Sequence, residues 1–229
     1  MKVFGAPMLG LAACQASVYT ADGEFEVMRL LRELMPAFLE RFNTEPEVVS
    51  HPTSPHPRIL LRSATGMWRC EIAADRTDFY WLRPEARAPA PSLDEFYQIA
   101  SSLLAQYAEV SRSRVSRLAA IVKRITGHTT PALFAIEHFL RPELAGTALE
   151  GTEAFELYAH KRHALDRFVV NASMRCRANN DGTITVEQDL NTLAEQAASR
   201  RFTLDDIAEF LRHAAREHER VLALYFPAR

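Results

Sequence analysis

Two stretches of this chain open alike. Ser92-Leu93-Asp94-Glu95-Phe96 and Thr203-Leu204-Asp205-Asp206-Ile207 each place a hydroxyl residue ahead of a leucine, two acidic residues and an apolar one, and each leads into a long amphipathic run. The hydroxyl is positioned to cap free backbone N–H groups, and the carboxylates sit at the positive end of the helix dipole. In the second run Leu204, Ile207, Leu211, Ala214, Val221, Leu222 and Tyr225 recur in steps of three and four, while Asp205, Asp206, Glu209, Arg212, Arg216, Glu217, Glu219 and Arg220 fill the other side. A one-faced helix must cover something. What precedes each of these two helices is a series of short runs with strand-like periodicity, so the chain is expected to lay long helices over a sheet.

In order, Leu11 to Tyr19 reads as a first strand ending in the turn signal Thr20-Ala21-Asp22-Gly23, and Glu24 to Phe42 as a helix that Pro36 should kink or divide. Pro46 to Pro57, rich in proline around Val48-Val49, reads as an edge strand and loop carrying His51 and His56. Arg58 to Ser63, Met67 to Ala73 and Thr77 to Leu82 have the rhythm of an antiparallel meander. Pro84 to Pro91 ends the sheet segment, and the capped helix Ser92 to Val110 follows. After the short link Ser111 to Arg114 the pattern returns. Val115 to Ile125 reads as a strand, and Pro131 to Leu140 as a helix with proline at its first position that Arg141-Pro142 closes. Three more strands are expected at Glu153 to Arg162, Arg167 to Arg177 and Thr183 to Asp189, the last two joined by the hairpin signal Asn179-Asn180-Asp181-Gly182. Asn191 to Arg201 is a polar connection with some helical character.

Each half thus reads strand, helix, three or four antiparallel strands, long capped helix. The expected fold is α+β, two pseudo-repeated β-α-β(3-4)-α units (1–111 and 112–229) in a single compact unit, its antiparallel sheet covered on one face by helices. This doubled order resembles the saddle of TATA-binding-protein-like folds, a topology used for ligand cavities as well as DNA. Arg114 to Ile125, Val186-Glu187-Gln188-Asp189-Leu190-Asn191-Thr192 and the capped last helix also resemble a sporadically distributed bacterial family of about this length with no assigned activity. The middle-strand glycine of that family is replaced here by Ala119 and Ala120. The resemblance implies no catalytic residues.

A net charge of −2 gives no bulk attraction to nucleic acid or anionic membrane. No apolar segment approaches the ~20 residues of a membrane span, and Lys2 with Pro7 and Gly10 makes a poor signal peptide. Cys14, Cys70 and Cys176 are an odd, scattered set, read as buried free thiols in a reducing, cytoplasmic compartment. There is no GxSxG, P-loop, GxGxxG, HExxH or paired CxxC, which removes the best-marked hydrolase, nucleotide-binding and zinc classes. No catalytic residue, cofactor or metal site is assigned. His160 and His163, three apart on a strand, point to opposite faces. His213 and Glu217, one helical turn apart, lie among alternating charges and read as a solvated face. A dyad of Asp166 or Asp189 with His163 would leave no local trace.

What remains is a set of binding candidates: the aromatics Trp68, Tyr80 and Tyr158 with the basic residues Arg83, Arg162, Arg167, Arg175 and Arg177. Aromatics among arginines suit single-stranded nucleic acid. The plainer account pairs the arginines with Glu153, Glu156 and Glu187 across strands. The leading expectation is a non-enzymatic intracellular binding or scaffolding protein, a homo-oligomer or bound to another protein through its sheet face or strand edges. The alternatives are a nucleic-acid-associated factor, and a small-molecule-binding protein or enzyme with a helix–sheet cavity.

Overall fold

In a computed structural model, residues 5–21, 25–42, 46–50, 57–83, 89–140, 144 and 146–227 are described. His51, His56, Asp22-Gly23, residues 84–88 and Arg141-Pro142 lie outside them. The described elements, in chain order, are β1 (Gly10–Ala21), α1 (Val27–Phe42), β2 (Glu47–Val49), β3 (Arg58–Arg62), β4 (Trp68–Ile72), β5 (Arg76–Leu82), α2 (Leu93–Ser111), β6 (Arg114–Gly127), α3 (Pro131–Phe139), β7 (Phe155–Leu165), β8 (Phe168–Ala178), β9 (Thr183–Thr192) and α4 (Leu204–Tyr225). The fold is α+β. Every strand joins one antiparallel sheet in the order β2-β3-β4-β5-β1-β6-β9-β8-β7.

Register and the two-residue side-chain period separate the two faces of this sheet. Leu61↔Cys70, Cys70↔Phe79, Ala16↔Phe79, Ala16↔Ala120, Ala120↔Leu190 and Ala172↔Leu190 are direct cross-strand pairs, and all of these residues are buried in one cluster with Leu30, Leu34 and Phe38 of α1, Phe96 and Tyr107 of α2, and Phe210 and Leu211 of α4. A second cluster gathers Ala135 of α3, Leu222 of α4 and Phe226 at its end with Met174, Cys176, Ile184 and Val186 of the same sheet face. All four described α-helices therefore cover one face. The other face carries none of them.

Both shared openings act as helix caps. The Ser92 hydroxyl accepts the Glu95 N–H at 3.1 Å, and Thr203 and Asp206 close a reciprocal capping box, the Thr203 hydroxyl accepting the Asp206 N–H while the Asp206 carboxylate accepts the Thr203 N–H at 2.6 Å. The two capped helices pack against each other over the sheet.

Three local expectations needed correction. Pro36 neither divides nor ends α1, which runs from Val27 to Phe42; Leu30, Leu34 and Phe38 bury one continuous stripe that outweighs the single N–H that proline lacks. Strand β7 continues to Leu165 and turns back through Asp166-Arg167 alone, with Asp166 at φ +53, a left-handed position that aspartate tolerates better than most residues. Asn191 and Thr192 belong to β9, so the connection to α4 begins later and holds only a single 3-10 turn at Ala194–Gln196.

Candidate functional site

The helix-free face is organised around its middle, where β5, β1 and β6 lie side by side. Ser17 pairs with Asp78 on one side and Ala119 on the other, and Tyr19 with Arg76 and Arg117. Although these residues turn away from the helices, Ser17 is 1 % and Asp78 8 % exposed. The Asp78 carboxylate accepts hydrogen bonds from Ser17 Oγ at 2.5 Å, Gln15 Nε2 at 3.0 Å and Arg76 Nε at 2.7 Å. That network floors a polar patch. Above it the guanidiniums of Arg76 and Arg117 lie 4.8 and 4.5 Å from the centre of the Tyr19 ring, within cation–π range. Tyr80, beside Asp78 on the same face, has Arg69 at 5.9 Å; burial, then Asp78 and Glu71, pushes its hydroxyl well above the usual phenol range, so it stays a protonated donor.

Toward β7 the face becomes more basic but is internally compensated. Glu156 receives Arg175 at 3.1 Å and Arg177 at 3.0 Å, Arg175 lies 5.0 Å from the Tyr158 ring, and Arg162 meets Glu195 at 2.5 Å. On the opposite flank Arg58 and Arg69 share Glu71, and Arg62 approaches Glu47 at 3.9 Å. Arg117 donates to Asn191 at 3.5 Å, and Asn191 donates to Asp189 at 3.2 Å, whose carboxyl burial moves upward.

Of the residues singled out from sequence, Tyr80, Tyr158, Arg162, Arg175 and Arg177 lie on this face. Trp68 is on the other side, stacked at 5.5 Å on Phe79 and 6.2 Å on Phe96 in the core. Arg83 lies just past β5, its Nη1 donating to the Leu11 carbonyl at 3.4 Å. Arg167, in the β7–β8 turn, departs from the alternation expected of it and reaches α4, pairing with Asp206 at 2.6 Å and with Glu209. Gln15, Ser17, Tyr19, Arg76, Asp78 and Arg117, the residues of the central patch, carried no signal in the sequence, because only the register of three strands brings them together.

The helix side holds a second polar group. Glu217, expected on a solvated face, is 7 % exposed and is met by Arg220 at 2.7 Å, His163 at 3.2 Å and Lys161 at 3.6 Å; the Arg220 hydrogen bond, against the opposing effect of burial, brings its carboxyl below the usual range. His213 turns instead to Asp166 at 3.7 Å and Glu209 at 3.8 Å. Those three residues lie within 4.8 Å of one another, and the Arg167 guanidinium pairs with Glu209 beside them. Asp189 faces away from the helices and His163 toward them, so those two do not meet, while Asp166 lies beside His213 rather than His163. No described helix is long and apolar enough to cross a membrane.

No family model matches the chain, and no curated protein does. Among solved structures it is similar to Methanococcus jannaschii TBP, at 9% identity and a TM-score of 0.31, over 96% of this chain and 98% of that one.

Proposed function

We propose that this chain is a non-enzymatic intracellular binding protein that engages another polypeptide, in the first instance a second copy of itself, through the helix-free face of its sheet. The observation that supports it is the Asp78 network. An open antiparallel sheet face is ordinarily just solvated. Here a nearly buried carboxylate is tied to three side chains in the middle of that face and holds Arg76, and through it Tyr19, in place. Tyrosine and arginine fixed in advance are the residue types that carry most interface energy, since little side-chain freedom is lost on docking. Carboxylates and guanidiniums alternate from Glu71 to Glu156, a mixed pattern that suits a partner of mixed charge and, by two-fold rotation, itself. Three free, buried thiols support the intracellular setting.

We also infer that the two halves, 1–111 and 112–229, are an internal duplication of the TATA-binding-protein-like kind. The strand order supports this: each half places its first strand at the centre and its meander outward, so β1 and β6 pair across the junction. The central patch then draws Tyr19 and Arg76 from one half and Arg117 from the other.

A nucleic-acid partner is the second reading, favoured by the stacking of Arg76 and Arg117 on Tyr19 and of Arg175 on Tyr158. The intramolecular ion pairs weigh against it. Sedimentation equilibrium over a wide dilution series, on the wild type and a Tyr19→Ala/Arg117→Glu variant, tests the first reading: a reversible dimer that the variant disrupts with unchanged melting supports it, and a wild type that is monomeric throughout refutes self-association. Salt-dependent retention of mixed single-stranded DNA and RNA by the wild type, lost in the variant, would replace it with the second reading.

A further inference from the structure

We propose that the outer edge of β7 pairs with β7 of a second copy of this chain, antiparallel about a two-fold axis at Ala159, so that two sheets run on as one. β7 ends the sheet, and among the described residues no strand lies on its outer side. Folds ordinarily blunt such an edge by shortening it, by proline, by charge or by cover. The other end of this sheet is treated that way: β2 has three residues, Glu47–Val49, directly after Pro46. β7 has eleven, Phe155–Leu165, and no proline.

The turn at Asp166-Arg167 fixes which backbone groups of β7 are open. Leu165 and Phe168 pair directly across that two-residue loop, where the flanking residues exchange both of their hydrogen bonds. The register then runs without a bulge to Phe155↔Ala178. Hydrogen-bonded and non-hydrogen-bonded pairs alternate, so the odd-numbered residues of β7 bond to β8. The N–H and C=O groups of Glu156, Tyr158, His160 and Arg162 therefore point outward, and the side chains of these four residues are exposed.

Charge selects the occupant. The order acid, aromatic, imidazole, base is complementary to its own reverse. In an antiparallel pair centred on Ala159, Glu156 stands opposite Arg162 of the other copy and Tyr158 opposite His160, each combination occurring twice. Moving the centre to Tyr158 sets Arg162 opposite Ala154, and moving it to His160 sets Glu156 opposite Ala164, so no other register matches the carboxylate to the guanidinium. The charges of this edge are thus placed to join two copies as well as to repel an unrelated strand. Glu156 already takes Arg175 and Arg177, and Arg162 takes Glu195, so the new pair links two existing groups of charges across the axis. The four outward residues of each copy supply about eight backbone hydrogen bonds. This contact does not rest on the one proposed for the helix-free face: its axis lies at the rim of the sheet and leaves that face open.

Cysteine capture reads the register. Ala159→Cys sets two thiols at a non-hydrogen-bonded cross-strand position, with Cα atoms about 4.5 Å apart, within disulfide reach, and the chain's own three thiols are buried. Under mild oxidation this variant should form a linked dimer. Lys161→Cys should not, because its two copies lie about 13 Å apart along the ladder. Tyr158→Pro removes an outward N–H that β8 does not use, and Arg162→Glu sets a carboxylate opposite Glu156; each should slow capture at position 159 by roughly tenfold. In the Tyr19→Ala/Arg117→Glu background capture should be unchanged, which separates failure of this contact from failure of the helix-free face. Absence of the linked Ala159→Cys dimer would overturn the proposal and leave an edge blunted by its own charges. Linkage of Lys161→Cys at an equal rate, or capture at position 159 that neither Tyr158→Pro nor Arg162→Glu slows, would overturn it as well.

Discussion

The buried imidazole of His218 makes stability depend on pH in a calculable way. Burial first, and the Arg124 guanidinium second, bring its pKa from the ordinary 6.5 down to about 3, with Glu217 acting weakly in the other direction. The folded chain therefore excludes a proton that the unfolded chain accepts. Stability is unaffected by this group well above pH 6.5, falls as pH drops through 6.5, and stops falling below about 3. At ~1.4 kcal/mol per unit, lowering the pH to about 5 costs about 2 kcal/mol from this residue alone. Other groups titrate nearby. His163 is also brought down by burial and by Lys161, and adds a cost of the same sign, while Glu217, held low by Arg220, loses its contribution only below the usual carboxylate range. Urea unfolding at about pH 7.5 and 5 isolates the His218 share when the wild type is compared with His218→Asn, whose side-chain oxygen can still accept from Tyr97 and cannot titrate. The variant should lose about 2 kcal/mol less than the wild type on acidification, the contribution of His163 cancelling between them. Equal losses, within about 0.5 kcal/mol, would refute the claim that His218 is held neutral by burial.

Three further outcomes follow from the packing. Thr203→Ala removes half of the capping box on α4 and should lower stability by about 1 kcal/mol in denaturant titration. Phe210→Ala takes out a fully buried ring that meets Phe168 edge-on at 5.6 Å, and should cost about 3–5 kcal/mol by the same measurement. The thiols of Cys14 and Cys176 are pushed up to about 12 by burial, and Cys70 is raised too, so a colorimetric disulfide reagent should leave all three untouched in the native protein and titrate all three in urea.

Much of the fold was legible because its signals are local. Val170, Ala172, Met174 and Cys176 alternate with Asn171, Ser173 and Arg175 and bury one side of β8, and Ser92 and Thr203 announce the helices they cap. Glu217 was misread, and His218 passed over, for a physical reason. The stripe of α4 counted from Leu204, Ile207 and Leu211 is narrow, yet the helix packs on the sheet and on α2 together, so its buried arc widens to take in Phe210, Ala215, Glu217 and His218. Leu204 and Leu224, apolar by type, are exposed in consequence. The central patch was illegible for another reason: Ser17 and Asp78 are 61 residues apart, and nothing in either neighbourhood encodes the register that joins them. Arg167 was misplaced because a two-residue turn at Asp166, with no glycine to mark it, removes it from the strand.

The claim on which the functional account turns is that the face without helices is the one that meets a partner. Hydroxyl-radical footprinting of the purified chain at low and high concentration reads it directly, since Tyr19, Tyr80 and Tyr158 lie on that face while Leu204 and Leu224 are exposed on α4. Oxidation of the three tyrosines should fall as concentration rises, with the two leucines unchanged. Protection confined to the leucines, or the same tyrosine oxidation at every concentration, would contradict it.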